Sequence, residues 1–190
     1  MLSLFWLHTN SLWPSGGYEQ IIAALFYIVS LSGIIGYSLS RSIPARLRHI
    51  GGEVIYDRIP ANIYRIREQA KHHIASAAQE SGNETLPREY SESLAWFFAK
   101  PRFFLSHVTG SGKPNAWRLR KETSLKTFLT EQEAVHFNQV MLLVEYKNQI
   151  DAHYSNQRLL KFWLFLHLPI AAMLLIFVGW HVLLVHLYLL

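Results

Sequence analysis

The sequence predicts an all-α membrane protein in which two transmembrane helices flank a mostly helical cytoplasmic domain. Residues 162–190 contain no Lys, Arg, Asp or Glu, and this stretch is long enough for the roughly 20 apolar residues that a bilayer-spanning helix needs. Residues 21–40 lack the same four residue types. All eighteen Lys and Arg residues lie between Arg41 and Lys161. The positive-inside rule therefore places the middle of the chain in the cytoplasm and both ends outside an inner membrane.

This pattern divides the chain into five segments. Residues 1–18 form an outer-side segment rich in aromatic residues, which suit a membrane–water interface. His8 in this segment is interpreted as an interfacial polar residue. Residues 19–40 are transmembrane helix 1, and residues 41–129 are a cytoplasmic helical domain. Residues 130–161 are a long cytoplasmic helix that continues directly into transmembrane helix 2, residues 162–190.

Composition narrows the function classes. The chain has no cysteine, which excludes disulfides, cysteine-ligated iron–sulfur clusters and thioether-attached c-type haem within it. The net charge of +5 is explained by topology and anionic lipid heads, and no basic stripe with interleaved aromatics indicates nucleic acid. No hydrolase or zinc-protease motif occurs, so a subunit is favoured over a stand-alone enzyme.

The inner half of the first span is rich in small residues, among them Ser32, Gly33 and Gly36. Small residues let helices approach closely, so this half is predicted to pack against another helix. The first span contains no histidine.

Proline and glycine residues mark predicted helix boundaries in the middle of the chain. We expect a turn after Arg41, at Pro44 and Gly51–Gly52, followed by a short strand or extended connector at residues 53–59. Pro60 should open a helix that reaches about residue 78 and ends at the Ser81–Gly82–Asn83 sequence.

A second helix should run from Pro87 to about Lys100. The aromatic-rich run from Trp96 to Leu105 suits a small core, a membrane-surface face or a docking site for another subunit. Thr130 and Glu133 form a capping-box pattern that should start the long last helix, with a kink at Pro169. Four histidines of the cytoplasmic segments are interpreted as surface or packing residues: His72, His73, His136 and His153.

Three histidines lie in the second span: His167, His181 and His186. An ionisable residue inside a membrane is a functional hypothesis by default. His167 and His181 are fourteen positions apart, so on an ideal helix they point within about 40° of each other and lie about 21 Å apart along the axis. His186 points about 140° away from His181.

This spacing of His167 and His181 resembles the ligand helices of transmembrane b-type cytochromes, in which one helix carries two histidines about four turns apart. The resemblance covers this segment alone. It implies haem b with His167 and His181 as iron ligands and His186 as a third candidate, and contact with quinone. Arg158 and Lys161 would be near enough to meet haem propionates.

The missing ligands would have to come from a homodimer or from another subunit, because the first span has no histidine. The leading hypothesis is thus a haem-binding electron-transfer subunit of a redox membrane complex. The alternative is a cofactor-free accessory subunit in which the same histidines are interfacial. A third hypothesis places them in a proton path or quinone site.

Overall fold

The computed structural model describes residues 13–50 and 54–188, and this part of the chain is helical without a β-strand. A 3-10 turn occupies Tyr56–Arg58, and a π-helical turn at Tyr90–Leu94 joins the third and fourth helices. The α-helices in chain order are α1 Gly17–Ile50, α2 Ile59–Ser81, α3 Thr85–Glu89, α4 Ala95–Ala99, α5 Phe104–Thr109, α6 Lys113–Lys126 and α7 Glu131–Tyr188.

The chain separates into two compact units. The two-helix unit comprises Met1–Ser42 and Leu160–Leu190, and the middle unit comprises Ile43–Leu159. Helices α1 and α7 each contribute residues to both units. Both helices are long and apolar enough to cross a membrane, as predicted; the membrane topology itself stays a prediction.

In the two-helix unit, α7 packs one stripe of side chains and exposes the rest. Exposed members include Phe165 at 74% and Leu175 at 73% of their full surface. An apolar surface of this extent is typical of a helix that faces lipid. The half-buried side chains repeat every three or four residues, as on helices that pack along a heptad seam: Trp163, His167, Ile170, Leu174, Phe177, His181 and Leu184.

The middle unit has one apolar core. Helix α2 contributes side chains at helical spacing: Ile59, Ile63, Ile66, Ala70, Ile74 and Ala77. Phe97 and Phe98 of α4 and Phe137 of α7 are fully buried against this face. The aromatic run therefore forms a small core, one of the three predicted alternatives. Trp96, Phe104 and Leu105 are the exposed part of that run.

Most predicted helix boundaries of the middle unit are confirmed. Pro60 lies in the first turn of α2, and Gly82 ends that helix in the left-handed conformation with φ of 68°. The predicted helix from Pro87 forms as α3, the π-helical turn and α4. Thr130 and Glu133 form the capping box, with the Thr130 N–H donating to Glu133 Oε2 at 3.0 Å.

The predicted turn at Pro44 is wrong, because α1 continues through Pro44 to Ile50; Gly51–Gly52 lie outside the described residues. A proline removes one N–H from a helix and does not by itself end it when tertiary contacts hold the backbone. Ile43 is buried, and the Arg46 guanidinium donates to the Val108 carbonyl at 3.0 Å. These contacts hold the helix beyond the proline.

Of the two alternatives for the next segment, the structure has a connector and not a strand: Ile55 is extended and a 3-10 turn follows at Tyr56–Arg58. Helix α6 was not predicted, because its apolar residues have no clear helical period. Trp117 fixes it on the core by stacking on Phe97, with ring centroids 4.7 Å apart.

Candidate functional site

His167 lies against α1 and makes a specific polar contact there. Its Nδ1 is 2.8 Å from Ser32 Oγ. Its ring stacks on Trp163 one turn earlier, with centroids 4.9 Å apart and planes 20° apart. The imidazole is therefore oriented by a hydrogen bond on one edge and an indole on one face.

The hydrogen bonds of the Ser32 hydroxyl indicate which ring nitrogen of His167 carries the proton. Ser32 Oγ also lies 3.1 Å from the Val29 carbonyl, to which it can donate its single proton. In that arrangement Nδ1–H of His167 donates to Ser32 Oγ, and Nε2 carries the lone pair. Nε2 makes no hydrogen bond with any residue that the structure describes. An anchored Nδ1 and an available Nε2 are the usual state of a metal-binding histidine.

Small residues of α1 bring the two helices into contact at this level. The Trp163 indole N–H donates to the Ser32 carbonyl at 3.0 Å. A Cβ added to Gly36 would lie 1.8 Å from Trp163 Cζ2, and one added to Gly33 would lie 4.0 Å from His167 Cε1. The prediction that this half of the first span packs against another helix is confirmed.

His181 lies on the same stripe of α7 and also contacts α1. Its ring stacks on Tyr18, with centroids 6.1 Å apart. The Tyr18 hydroxyl donates to the Phe177 carbonyl at 2.7 Å. The predicted common face of His167 and His181 is confirmed, and it is the face that meets α1.

His186 lies off this stripe and is exposed. Its Nδ1–H donates to the Val182 carbonyl of its own helix at 3.0 Å. His8 lies outside the described residues.

The histidine stripe offers one imidazole at each of two levels, so a bis-histidine haem at either level would need one more ligand. Across from His167 the same copy offers Ser32 and Gly33, and across from His181 it offers Tyr18. Within residues 13–50 and 54–188 no three His, Asp or Glu side chains surround a common metal position, but a haem iron needs only two axial ligands. A bis-histidine haem would therefore need a second imidazole at each level, in addition to the described residues Ser32, Gly33 and Tyr18. Arg158, a predicted propionate partner, donates to the Tyr154 hydroxyl.

The middle unit contains a buried ion pair that sequence analysis missed. Lys147 Nζ lies 2.5 Å from Asp151 Oδ2, and neither side chain has exposed surface. Lys147 also donates to the Lys100 carbonyl at 2.8 Å, and the Arg102 N–H donates to Asp151 at 3.0 Å. The four-residue spacing of Lys147 and Asp151 on a predicted helix is the sequence feature that indicates such a pair. Through these hydrogen bonds the pair fixes the backbone of residues 100–102. The next residue, Phe103, has a positive φ of 55°.

Burial sets the protonation of this region. Desolvation lowers the pKa of Lys147 to about 8 and raises that of Asp151 to about 6, each opposed by its partner. Burial, with the nearby charge of Lys147, lowers the pKa of His107 to about 4. His107 Nε2 is buried without a hydrogen bond beside a polar cleft of 260 Å³ that Asn115, Asn148 and Gln149 also line. His107 is thus neutral at pH 7, and the Lys147–Asp151 pair is charged.

No protein-family model, curated protein or solved structure matches this chain. Function therefore has to be argued from the site itself.

Proposed function

We propose that the chain is a membrane-anchored subunit that binds b-type haem through His167 and His181 and transfers electrons within a redox membrane complex. The observation that carries this proposal is the state of His167. Its Nδ1 is anchored on Ser32 while Nε2 has no hydrogen-bond partner among the described residues. A ring nitrogen left open inside an apolar span favours a ligand.

The chain's own residues would orient the ligands. Ser32 and Trp163 fix the ring of His167, and Tyr18 stacks on His181. Orientation of a ligating imidazole by a hydrogen bond at its other nitrogen raises its basicity and metal affinity. Bound haem would supply a one-electron ferric/ferrous couple whose potential depends on its axial ligands and their surroundings.

The second ligands would come from a second copy or from another subunit. The residues opposite the histidines within one copy are Ser32, Gly33 and Tyr18, which supply no imidazole. Two copies would bring four histidines for two haems into one bundle. The exposed apolar surface of α7 would face lipid or the partner helices.

The distribution of charge along the chain supports this role. Every Lys and Arg lies in the 41–161 stretch, which favours a cytoplasmic middle unit. Two charge-free stretches, residues 21–40 and 162–190, flank it. The middle unit would then meet the cytoplasmic partner of the complex, and quinone would be reached from within the bilayer.

A second candidate is a cofactor-free accessory subunit. Helix contacts that already occupy the histidine stripe favour it: the Gly36–Trp163 approach and the Tyr18–Phe177 hydrogen bond. In this role the hydrogen bond between His167 and Ser32 would stabilise the packing of α1 on α7. The chain would hold a larger assembly together.

A dithionite-reduced minus oxidised visible spectrum of the detergent-purified protein from haem-replete cells tests the proposal. We expect sharp reduced α and Soret bands that weaken or vanish in His167→Ala and His181→Ala. His72→Ala, in the middle unit, is the control and should keep the bands. His186→Ala decides whether the third candidate takes part.

A colourless preparation that is folded and membrane-inserted would overturn haem binding by the isolated chain. The accessory-subunit candidate would then lead. Bands that survive both the His167 and His181 substitutions would move the ligands elsewhere.

A further inference from the structure

Histidines from two helices meet on the surface of the middle unit. The ring centroids of His73 on α2 and His136 on α7 are 5.9 Å apart. His136 Nε2 is 3.1 Å from Glu80 Oε2, which comes from the same helix as His73. Sequence analysis assigned these histidines separately to surface or packing roles, because nothing in the sequence pairs them.

The separation of the two rings suits a shared metal ion. Zn²⁺–nitrogen bonds are about 2.0–2.1 Å long, so with a ring radius of about 1.1 Å two imidazoles at a tetrahedral angle on one ion have centroids about 5 Å apart. The rings of His73 and His136 are 5.9 Å apart, so a small rotation of the side chains brings them to this separation. The Glu80 carboxylate can provide a third, oxygen ligand, as in two-histidine, one-carboxylate zinc sites.

Protonation and access also favour a metal. Burial, followed by the charges of His136 and His72, lowers the pKa of His73, so its imidazole is neutral near pH 7 and has a lone pair to donate. The His136 side chain keeps 16% and Glu80 keeps 55% of its surface exposed. An ion can therefore reach the ligands, and the Glu80 carboxylate is free to move.

We propose that His73, His136 and Glu80 form a binding site for a Zn²⁺-like divalent transition metal ion that links α2 to α7. The described residues do not hold three ligands already arranged around one point. The site therefore closes by side-chain rotation, chiefly of the Glu80 carboxylate from its hydrogen bond with His136 onto the ion. It is separate from the haem proposal, since all three residues belong to the middle unit.

Zn²⁺ titration of the chelator-treated, detergent-purified full chain tests this, with calorimetry and thermal unfolding as readouts. We expect one site per chain and a rise in Tm on metal addition, since an ion bound to the folded state stabilises it. His73→Ala and His136→Ala should each weaken binding at least tenfold and abolish the Tm rise. Glu80→Gln should weaken it by a smaller factor.

The control is Glu92→Gln, which changes an exposed carboxylate that pairs with Arg88 and should leave affinity unchanged. Loss of binding in this control, or wild-type affinity in His73→Ala or His136→Ala, would overturn the site. The titration is repeated in a His167→Ala/His181→Ala background, where binding should persist. Its disappearance there would assign the ion to the membrane histidines and reject the proposed site.

Discussion

Gly36 and Trp163 touch where α1 and α7 come together. A Cβ on residue 36 would lie 1.8 Å from Cζ2 of the indole, well inside van der Waals contact. The same indole donates to the Ser32 carbonyl, so it cannot move aside without losing a hydrogen bond. Glycine at position 36 is therefore what permits the helix contact that also orients His167.

Gly36→Ala should separate α1 from α7 locally. Overpacking of a closed interface costs about 1–3 kcal/mol, and the variant should unfold at lower temperature in detergent. Gly179→Ala is the matched control, because nothing lies within 4 Å of its added Cβ, and its stability should be unchanged or slightly higher. Equal behaviour of the two variants would contradict the close approach.

Ser32→Ala should remove the hydrogen bond that orients the His167 ring against α1. The change removes one partly buried hydrogen bond, worth about 0.5–1.5 kcal/mol. Ser38→Ala is the control, since Ser38 bonds only to the Ile34 carbonyl of its own helix. If haem is bound, Ser32→Ala should also shift its reduction potential. A shift of the same size in Ser38→Ala would show that Ser32 does not act through His167.

Lys147→Met should strongly destabilise the middle unit. It leaves the Asp151 carboxylate buried without its cation, which costs about 3–5 kcal/mol in known cases. Lys71→Met is the matched control: its pair with Glu68 is about half exposed and should cost under about 1 kcal/mol. Urea unfolding measures both.

The double variant Lys147→Met/Asp151→Leu should recover much of the loss, because it removes both buried charges together. A double variant as unstable as the sum of the two single variants would show that the pair is not coupled.

His107 should make the middle unit sensitive to acid. Its folded-state pKa of about 4 lies below the ordinary value of 6.5, so the unfolded chain binds more protons between these values. Its contribution to stability is complete above pH 6.5 and is lost as the pH falls toward 4. His107 therefore contributes a decline in the free energy of unfolding over this window, and Asp151 opposes it, because its pKa of about 6 favours the folded state as the pH falls.

His107→Gln should flatten that decline, and His72→Gln should leave it as in the wild type. Urea unfolding at several pH values between 4 and 7 gives the comparison. An unchanged pH profile in His107→Gln would show that His107 is not the group that titrates.

The absence of cysteine allows a direct test of topology. Ser15→Cys and Ser124→Cys place single thiols at exposed positions before α1 and in α6. A membrane-impermeant maleimide applied to spheroplasts should label Ser15→Cys at once and Ser124→Cys only after permeabilisation. The reverse pattern would invert the predicted orientation.

The sequence by itself determined the two apolar helices, the continuity of α7 and the stripe that carries His167 and His181. These properties are periodic or compositional, and they follow from chain geometry and from the cost of burying charge in lipid. Local rules also sufficed for the Thr130–Glu133 capping box and the glycine that ends α2, since each depends on residues only a few positions apart.

Only the tertiary structure decided which groups meet. Three contacts join residues that are distant in sequence: Ser32 with His167, His136 with His73, and the Lys147–Asp151 pair with residues 100–102. The same is true of α1 beyond Pro44, where a buried Ile43 and the Arg46–Val108 hydrogen bond outweigh the local preference for a turn. Long-range packing fixes these relations because its free energy depends on which surfaces coincide, and no local pattern encodes that.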